Sequence, residues 1–226
     1  MAPLRPPAVT TPRDLAGLID HTVLARDATP AQVAEACEEA RTHGFAAVCV
    51  RVDFAAEVRR RLAWSSVRTA VVVDFPRGEG STAARVTEAQ EAVRLGAEEL
   101  DLVVALPLVQ AGRWGALLED LSAVLQAAAV PVKVILETAA LDRDRTVAAA
   151  AVARVAGAAF LKTSTGFGPG GATPEAVALL RAVAGDALGV KASGGIRTAA
   201  QALAMVRAGA SRLGASASVA IVGGEF

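Results

Sequence analysis

Lysine is scarce in this chain. Of its 23 basic residues, three are lysine, namely Lys133, Lys162 and Lys191, and the rest are arginine. The difference is chemical, because a guanidinium stays charged in proteins whereas an ammonium can lose its proton to burial or to a neighbouring cation. Lys162 ends the apolar run of "AFLKTSTGFG" and Lys191 holds the same place in "LGVKASGGIRT". An unperturbed amine is neutral in roughly one part in a thousand at pH 7. Desolvation together with a second ammonium nearby raises that fraction, and a neutral amine attacks an aldehyde to form an imine. Imine chemistry also needs a proton carrier. Asp101 supplies a carboxylate in "EELDLVV", where Leu100, Leu102 and Val104 take one face of a strand and leave Glu99, Asp101 and Val103 on the other. Each of these residues also has a purely structural reading as part of a buried ion pair. Lys133 lies four residues before Glu137, about 13 Å along a strand, and is expected to be such a structural partner.

These side chains need a scaffold that brings strand ends together. Short β-branched runs alternate with longer Ala, Leu, Arg and Glu segments, which marks repeated βα units. Eight strands are expected, at 18–21, 46–50, 69–75, 98–104, 131–137, 159–162, 188–192 and 211–214. Thr29, Pro30 and Gln32 predict one helix start, and Thr173, Pro174 and Glu175 another. Gly44, Gly96, Gly157 and Gly209 predict helix ends. Eight units in 226 residues predict a single-domain (β/α)8 TIM barrel over residues 14–226, preceded by a proline-rich arm at 1–13. Its chemistry would sit where strands run into the following loops. A doubly wound open sheet is the alternative, although no G-x-G-x-x-G follows the first strands.

Asp20, Asp74 and Glu137 also fall near strand ends. Asp20 and Asp74 read equally as caps or as substrate contacts, His21 as a site neighbour, and His43 as a helix C-terminal residue. In "ASGGIRT" and "LGASAS", Gly194, Gly195, Gly214 and Ser216 stand where strand meets helix. Bare N–H groups at such places favour a phosphate.

Composition excludes several classes. A net charge of +0 and scattered arginines leave no basic stripe for nucleic acid. No apolar run is long enough for a membrane span, and no signal-peptide core opens the chain. Cys37 and Cys49 are too few for a disulfide framework, so a cytoplasmic, reducing setting is expected. Cys49 reads as a small buried hydrophobe.

Taken in order, "LIDHTVL", "AVCV", "ELDLVV", "VKVILET", "FLKTSTGF", "GGAT", "VKASGGIRT" and "LGAS" make the sequence closely resemble the deoxyribose-phosphate aldolase family, from about Leu18 to Ser218. The resemblance implies a Schiff base on Lys162, Lys191 as the second catalytic lysine and Asp101 in proton transfer. It implies substrate or phosphate contacts at Asp20, Thr165, Gly166, Gly194, Gly195, Gly214 and Ser216. It implies no metal and no cofactor, with a sugar phosphate and aldehydes as the small-molecule partners. A homodimer or higher homo-oligomer is expected. The sequence departs from the family pattern at Asp74, where Gly or Asn is more usual, and at Ala217, where a second serine is moved one place on to Ser218. Two rival functions remain open from sequence alone: a Schiff-base lyase for another aldehyde pair, and a sugar-phosphate binder without catalysis.

Overall fold

A computed structural model describes residues 5–226, so the first four residues of the expected arm lie outside the described part. The first element is a 3-10 turn at Pro12–Leu18, where the Asp14 carboxylate accepts from the Thr10 and Thr11 N–H groups. Eight parallel strands follow: β1 Ile19–Val23, β2 Ala47–Val50, β3 Arg68–Val73, β4 Glu99–Val103, β5 Val132–Ile135, β6 Phe160–Lys162, β7 Gly189–Ser193 and β8 Arg212–Ala215. They pair in sequence order, and β8 closes on β1. Closure excludes the open doubly wound sheet and establishes the (β/α)8 barrel.

The helices cover the outside: α1 Pro30–His43, α2 Ala55–Arg61, α3 Thr82–Arg94, α4 Leu106–Gln110, α5 Trp114–Ala128, α6 Arg143–Val155, α7 Pro174–Ala184, α8 Ala199–Arg207 and α9 Ser218–Gly223. Thr29 caps α1 through a capping box with Gln32, and Thr173 caps α7 by accepting from the Ala176 N–H. Gly44 ends α1 in the left-handed conformation at φ 70°, which a residue without Cβ adopts freely.

Two strands stop two residues earlier than their sequences suggest. β3 ends at Val73 and β5 at Ile135, because Asp74 and Glu137 turn left-handed, at φ 52° and 53°. Both acids are thereby lifted out of the pleat and into loops at the C-terminal rim.

The apolar core divides in two. The larger part fills the layer between helices and sheet, while inside the barrel a small cluster of Leu24, Ala47, Cys49, Ala70 and Val72 covers the β2–β3 side. At the bottom the Phe160 ring plugs the interior against Gly189, where an added Cβ would stand 2.0 Å from the ring. The rest of the interior is charged, and those charges form the site.

Candidate active site

Strand register assembles the charged residues. Asp101 on β4 lies opposite Lys133 on β5, Lys162 on β6 opposite Lys191 on β7, and Lys191 opposite Arg212 on β8. All project inward by the alternation that also places Glu99 and Asp20 inside. Asp101 is the hub. Its Oδ1 accepts from Lys133 Nζ at 2.9 Å, and its Oδ2 accepts from both Lys162 Nζ at 2.6 Å and Lys191 Nζ at 2.7 Å. Lys191 also donates to Asp20. Lys133 reaches Glu99 at 2.6 Å and Asp20 at 3.6 Å. Arg212 completes the base of the network by donating to both Glu99 oxygens, at 2.8 and 3.0 Å.

Charge counting singles out Lys162. Three buried carboxylates, Asp20, Glu99 and Asp101, face four buried cationic groups, Lys133, Lys162, Lys191 and Arg212. An uncompensated buried charge is costly, so one of the four is best neutral. A guanidinium does not deprotonate. Lys133 and Lys191 each touch at least two carboxylates, whereas Lys162 touches one. Of the four, Lys162 is therefore the one that holds its proton least firmly. Burial pushes its amine below the ordinary lysine value, the adjacent Lys191 charge adds to that, and the opposing pull of Asp101 does not cancel them. Lys191 is buried too, but Asp101 and Asp20 hold its ammonium above the usual range. Burial alone would raise Asp101, yet Lys133, Lys162 and Lys191 hold it well below the ordinary carboxylate range. Asp20 is likewise kept at about 2, because Arg212, Lys191 and Lys133 outweigh its burial.

Above this network opens a cavity of about 590 Å³ lined by Lys162, Thr165, Gly166, Gly194, Gly195, Gly214 and Ser216, among others. The lysine stands in one wall and the glycine-rich loops after β7 and β8 form another. Gly166, Gly194 and Gly195 all have left-handed φ, at 85°, 93° and 79°. The β6 and β7 ends are tied together: Thr163 Oγ1 donates to Ser193 O and accepts from Ser193 N, each at 3.1 Å, and Ser193 Oγ donates to Ser164 O at 2.5 Å. Gly214 must lack a side chain, because a Cβ there would meet Ser193 Cβ at 2.9 Å and Lys191 Cε at 3.0 Å.

Other residues singled out from sequence fall elsewhere. Asp20 is fully buried beneath Lys191 and outside the cavity wall. His21 points to the opposite side of β1, where its ring nitrogens contact Ser218 Oγ at 2.8 Å and Glu39 Oε2 at 2.7 Å. It reaches only the flank of the cavity that runs along α1. Ser218 is buried and donates to Ala215 O, so its hydroxyl does not take the place of the serine that Ala217 lacks. Asp74 accepts from Gly80 N at 3.0 Å and from the buried Arg85 at 3.0 Å, away from the cavity. Lys133 is the ion-pair partner its depth suggested. Cys49 is buried among small apolar side chains, and that burial pushes its thiol up to about 11. Arg212 was missed, although its alternation with Gly214 marks it as inward-facing.

A sequence model of the DeoC/LacD family of aldolases matches residues 15–223. The chain belongs to this family. Among solved structures, this aldolase is 43% identical, with a TM-score of 0.93, to a candidate deoxyribose-phosphate aldolase from Coccidioides immitis, over 96% of this chain and 87% of that one. It is 35% identical, with a TM-score of 0.88, to an aldolase called QR15, over 93% of this chain and 95% of that one. The tetrameric deoxyribose phosphate aldolase of Aeropyrum pernix is 33% identical, with a TM-score of 0.88, over 94% of this chain and 91% of that one.

Proposed function

We propose that this aldolase reversibly cleaves 2-deoxy-D-ribose 5-phosphate into acetaldehyde and D-glyceraldehyde 3-phosphate through a Schiff base on Lys162. The observation that carries the proposal is the sharing of one Asp101 oxygen by Lys162 and Lys191 directly beneath a cavity that Lys162 lines. The named relatives in Coccidioides immitis and Aeropyrum pernix support the substrate.

In this reading, neutral Lys162 adds to the C1 aldehyde of the open-chain sugar. Lys191, protonated and adjacent, gives a proton to the departing oxygen, and loss of water leaves the iminium. Imine formation leaves Lys162 with a single N–H held in the plane of the iminium, so Asp101 Oδ2 can also accept from a water. That water takes the C3 hydroxyl proton and passes one of its own to Asp101 as the C2–C3 bond breaks and the bond's electrons move into the iminium. Protonation of the resulting enamine at C2 and hydrolysis return acetaldehyde and the free amine. The phosphate rests against Gly166, Gly194, Gly195, Gly214 and Ser216, remote from the breaking bond, where its binding orients the chain.

We assign the protein to the cytoplasm as a homo-oligomer. Among the described residues no helix is long and apolar enough to cross a membrane, and the Aeropyrum pernix relative is a tetramer. Borohydride reduction with acetaldehyde tests the chemistry. It should leave an ethyl group on Lys162, located by peptide mass spectrometry, and none in Lys162→Ala. Unmodified Lys162 in active protein would overturn the proposal.

A further inference from the structure

Phe167 stands in the loop after β6, five residues beyond Lys162, and is 54% exposed. Exposed aromatic rings on loops are usually free to move, but this one is held from two sides. Its backbone N–H donates to Thr165 Oγ1 at 3.1 Å, and that hydroxyl donates to Glu137 Oε2 at 2.5 Å. Glu137 is buried, and its left-handed backbone turns its carboxylate under the loop. Gly168 lets the chain pass over that carboxylate, since a Cβ there would lie 2.8 Å from it. From the other side the Phe167 ring meets Phe75 edge-on, with centroids 5.3 Å apart at 86°, a favoured aromatic geometry. Phe75 itself packs on the apolar cluster inside the barrel and carries the Arg51 guanidinium 5.4 Å from its ring centre.

Phe167 borders two spaces. One is the Lys162 cavity. The other, of about 440 Å³, is lined by Arg26, Pro76, Leu106, Glu137, Ala140 and Pro169, among others. Phe167 is the one described residue in the walls of both. Nothing in the cleavage chemistry requires an aromatic ring there.

We propose that Phe167 is a partition that sets the length of aldehyde chain the site accepts. The ring closes the Lys162 cavity on one side, and its removal opens the second space to the tail of a longer linear aldehyde. This rests on the Schiff-base reading. In the synthetic direction the Lys162 enamine of acetaldehyde forms its C2 bond to the acceptor carbonyl carbon, the acceptor oxygen takes a proton, and hydrolysis frees the amine. Only the room for the acceptor's tail depends on Phe167.

The test pairs acetaldehyde as donor with propanal and hexanal as competing acceptors, for the native protein, Phe167→Ala and Phe167→Trp. Hydrophobic pockets discriminate by about ten-fold or more per methylene. The hexanal-to-propanal ratio of kcat/KM should therefore rise at least about ten-fold in Phe167→Ala and stay at or below the native ratio in Phe167→Trp. A ratio in Phe167→Ala that matches the native one, or an equal rise in Phe167→Trp, overturns the partition. Borohydride trapping on Lys162 in the same three proteins keeps the two readings apart. Adducts in all three with an unchanged ratio remove the partition and leave the aldolase standing, whereas no adduct in the native protein removes both.

Discussion

Replacing Lys133 with methionine tests the buried charge balance without touching the reacting amine. Lys133 is fully buried, and its ammonium contacts Glu99 at 2.6 Å, Asp101 at 2.9 Å and Asp20 at 3.6 Å. In the proposed reading, with Lys162 neutral, the three buried carboxylates face the buried cations Lys133, Lys191 and Arg212, and Arg68 adds a part-exposed contact to Glu99 at 2.8 Å. Methionine is unbranched and one atom shorter, so it keeps most of the packing and removes one of those charges. Removing one partner of a buried, hydrogen-bonded pair costs about 3–5 kcal/mol, because the remaining charge is uncompensated. For a chain of this length that corresponds to a Tm lower by roughly 10 °C. Burial and three neighbouring carboxylates make water a poor substitute. The protein has a second way to respond, which is to let Lys162 take up the missing proton. The sign is clear: a lost cation leaves Asp101 less screened, Asp101 favours the charged amine, and Lys162 titrates higher than in the native protein. Denaturant unfolding at pH 7 measures the stability loss, and the pH dependence of borohydride trapping with acetaldehyde measures the amine. Glu99→Gln in the same chain should recover part of the stability by removing one carboxylate. A stability loss below about 1 kcal/mol, with an unshifted trapping profile, would refute the reasoning that these charges form one balanced set.

Lys191→Met should lower kcat by about 10²- to 10⁴-fold, the usual range for a proton-transferring group, and move the onset of Lys162 trapping to higher pH; an unchanged onset would remove Lys191 as the companion cation. Gly214→Ala should press on the Lys191 stem and the Ser193 side chain, so that kcat falls while unfolding free energy drops by only about 1–3 kcal/mol; unchanged turnover would show that the chain yields there at no cost. Asp74→Asn should weaken the Arg85 contact and cost stability without changing the preferred sugar, because Asp74 lies away from the cavity; steady-state kinetics with phosphorylated and unphosphorylated sugars decides this. Asp20 has a depressed folded value of about 2 against an ordinary 3.8, so its contribution is complete above 3.8, declines as pH falls through that window and is gone below 2. Unfolding free energy of Asp20→Asn should vary less steeply with pH across that interval than that of the native protein.

The barrel was legible because its signals are local and repeated. Each βα unit carries its own β-branched run, cap and terminal glycine, and eight of them leave little choice of topology. Lys162, Lys191 and Asp101 were legible because strand alternation at strand ends converts directly into an inward direction. Residues whose meaning depends on a distant partner were less so. Asp74 and Glu137 look like strand residues until the backbone turns left-handed, and only Arg85 and Thr165, at 3.0 and 2.5 Å, show what each carboxylate holds. His21 and Asp20 are neighbours in the chain but lie on opposite faces of β1, so proximity in sequence suggested a shared site that the pleat divides. Arg212 begins its strand like many surface arginines, and its role appears only when β8 closes beside β1 and β7. Phe167 carried no chemical signal, because a partition is defined by the two spaces it separates.

The presence of only three lysines makes the central measurement direct. Selective ¹⁵N and ¹³C labelling of lysine side chains, with assignment by the Lys133→Met and Lys191→Met variants, allows each amine to be titrated separately by NMR in the absence of substrate. We expect one resonance, Lys162, to lose its proton below the ordinary lysine value of about 10.4, while the other two stay protonated beyond it. A Lys162 resonance that titrates at or above that value, with either companion deprotonating first, would contradict the assignment of the nucleophile.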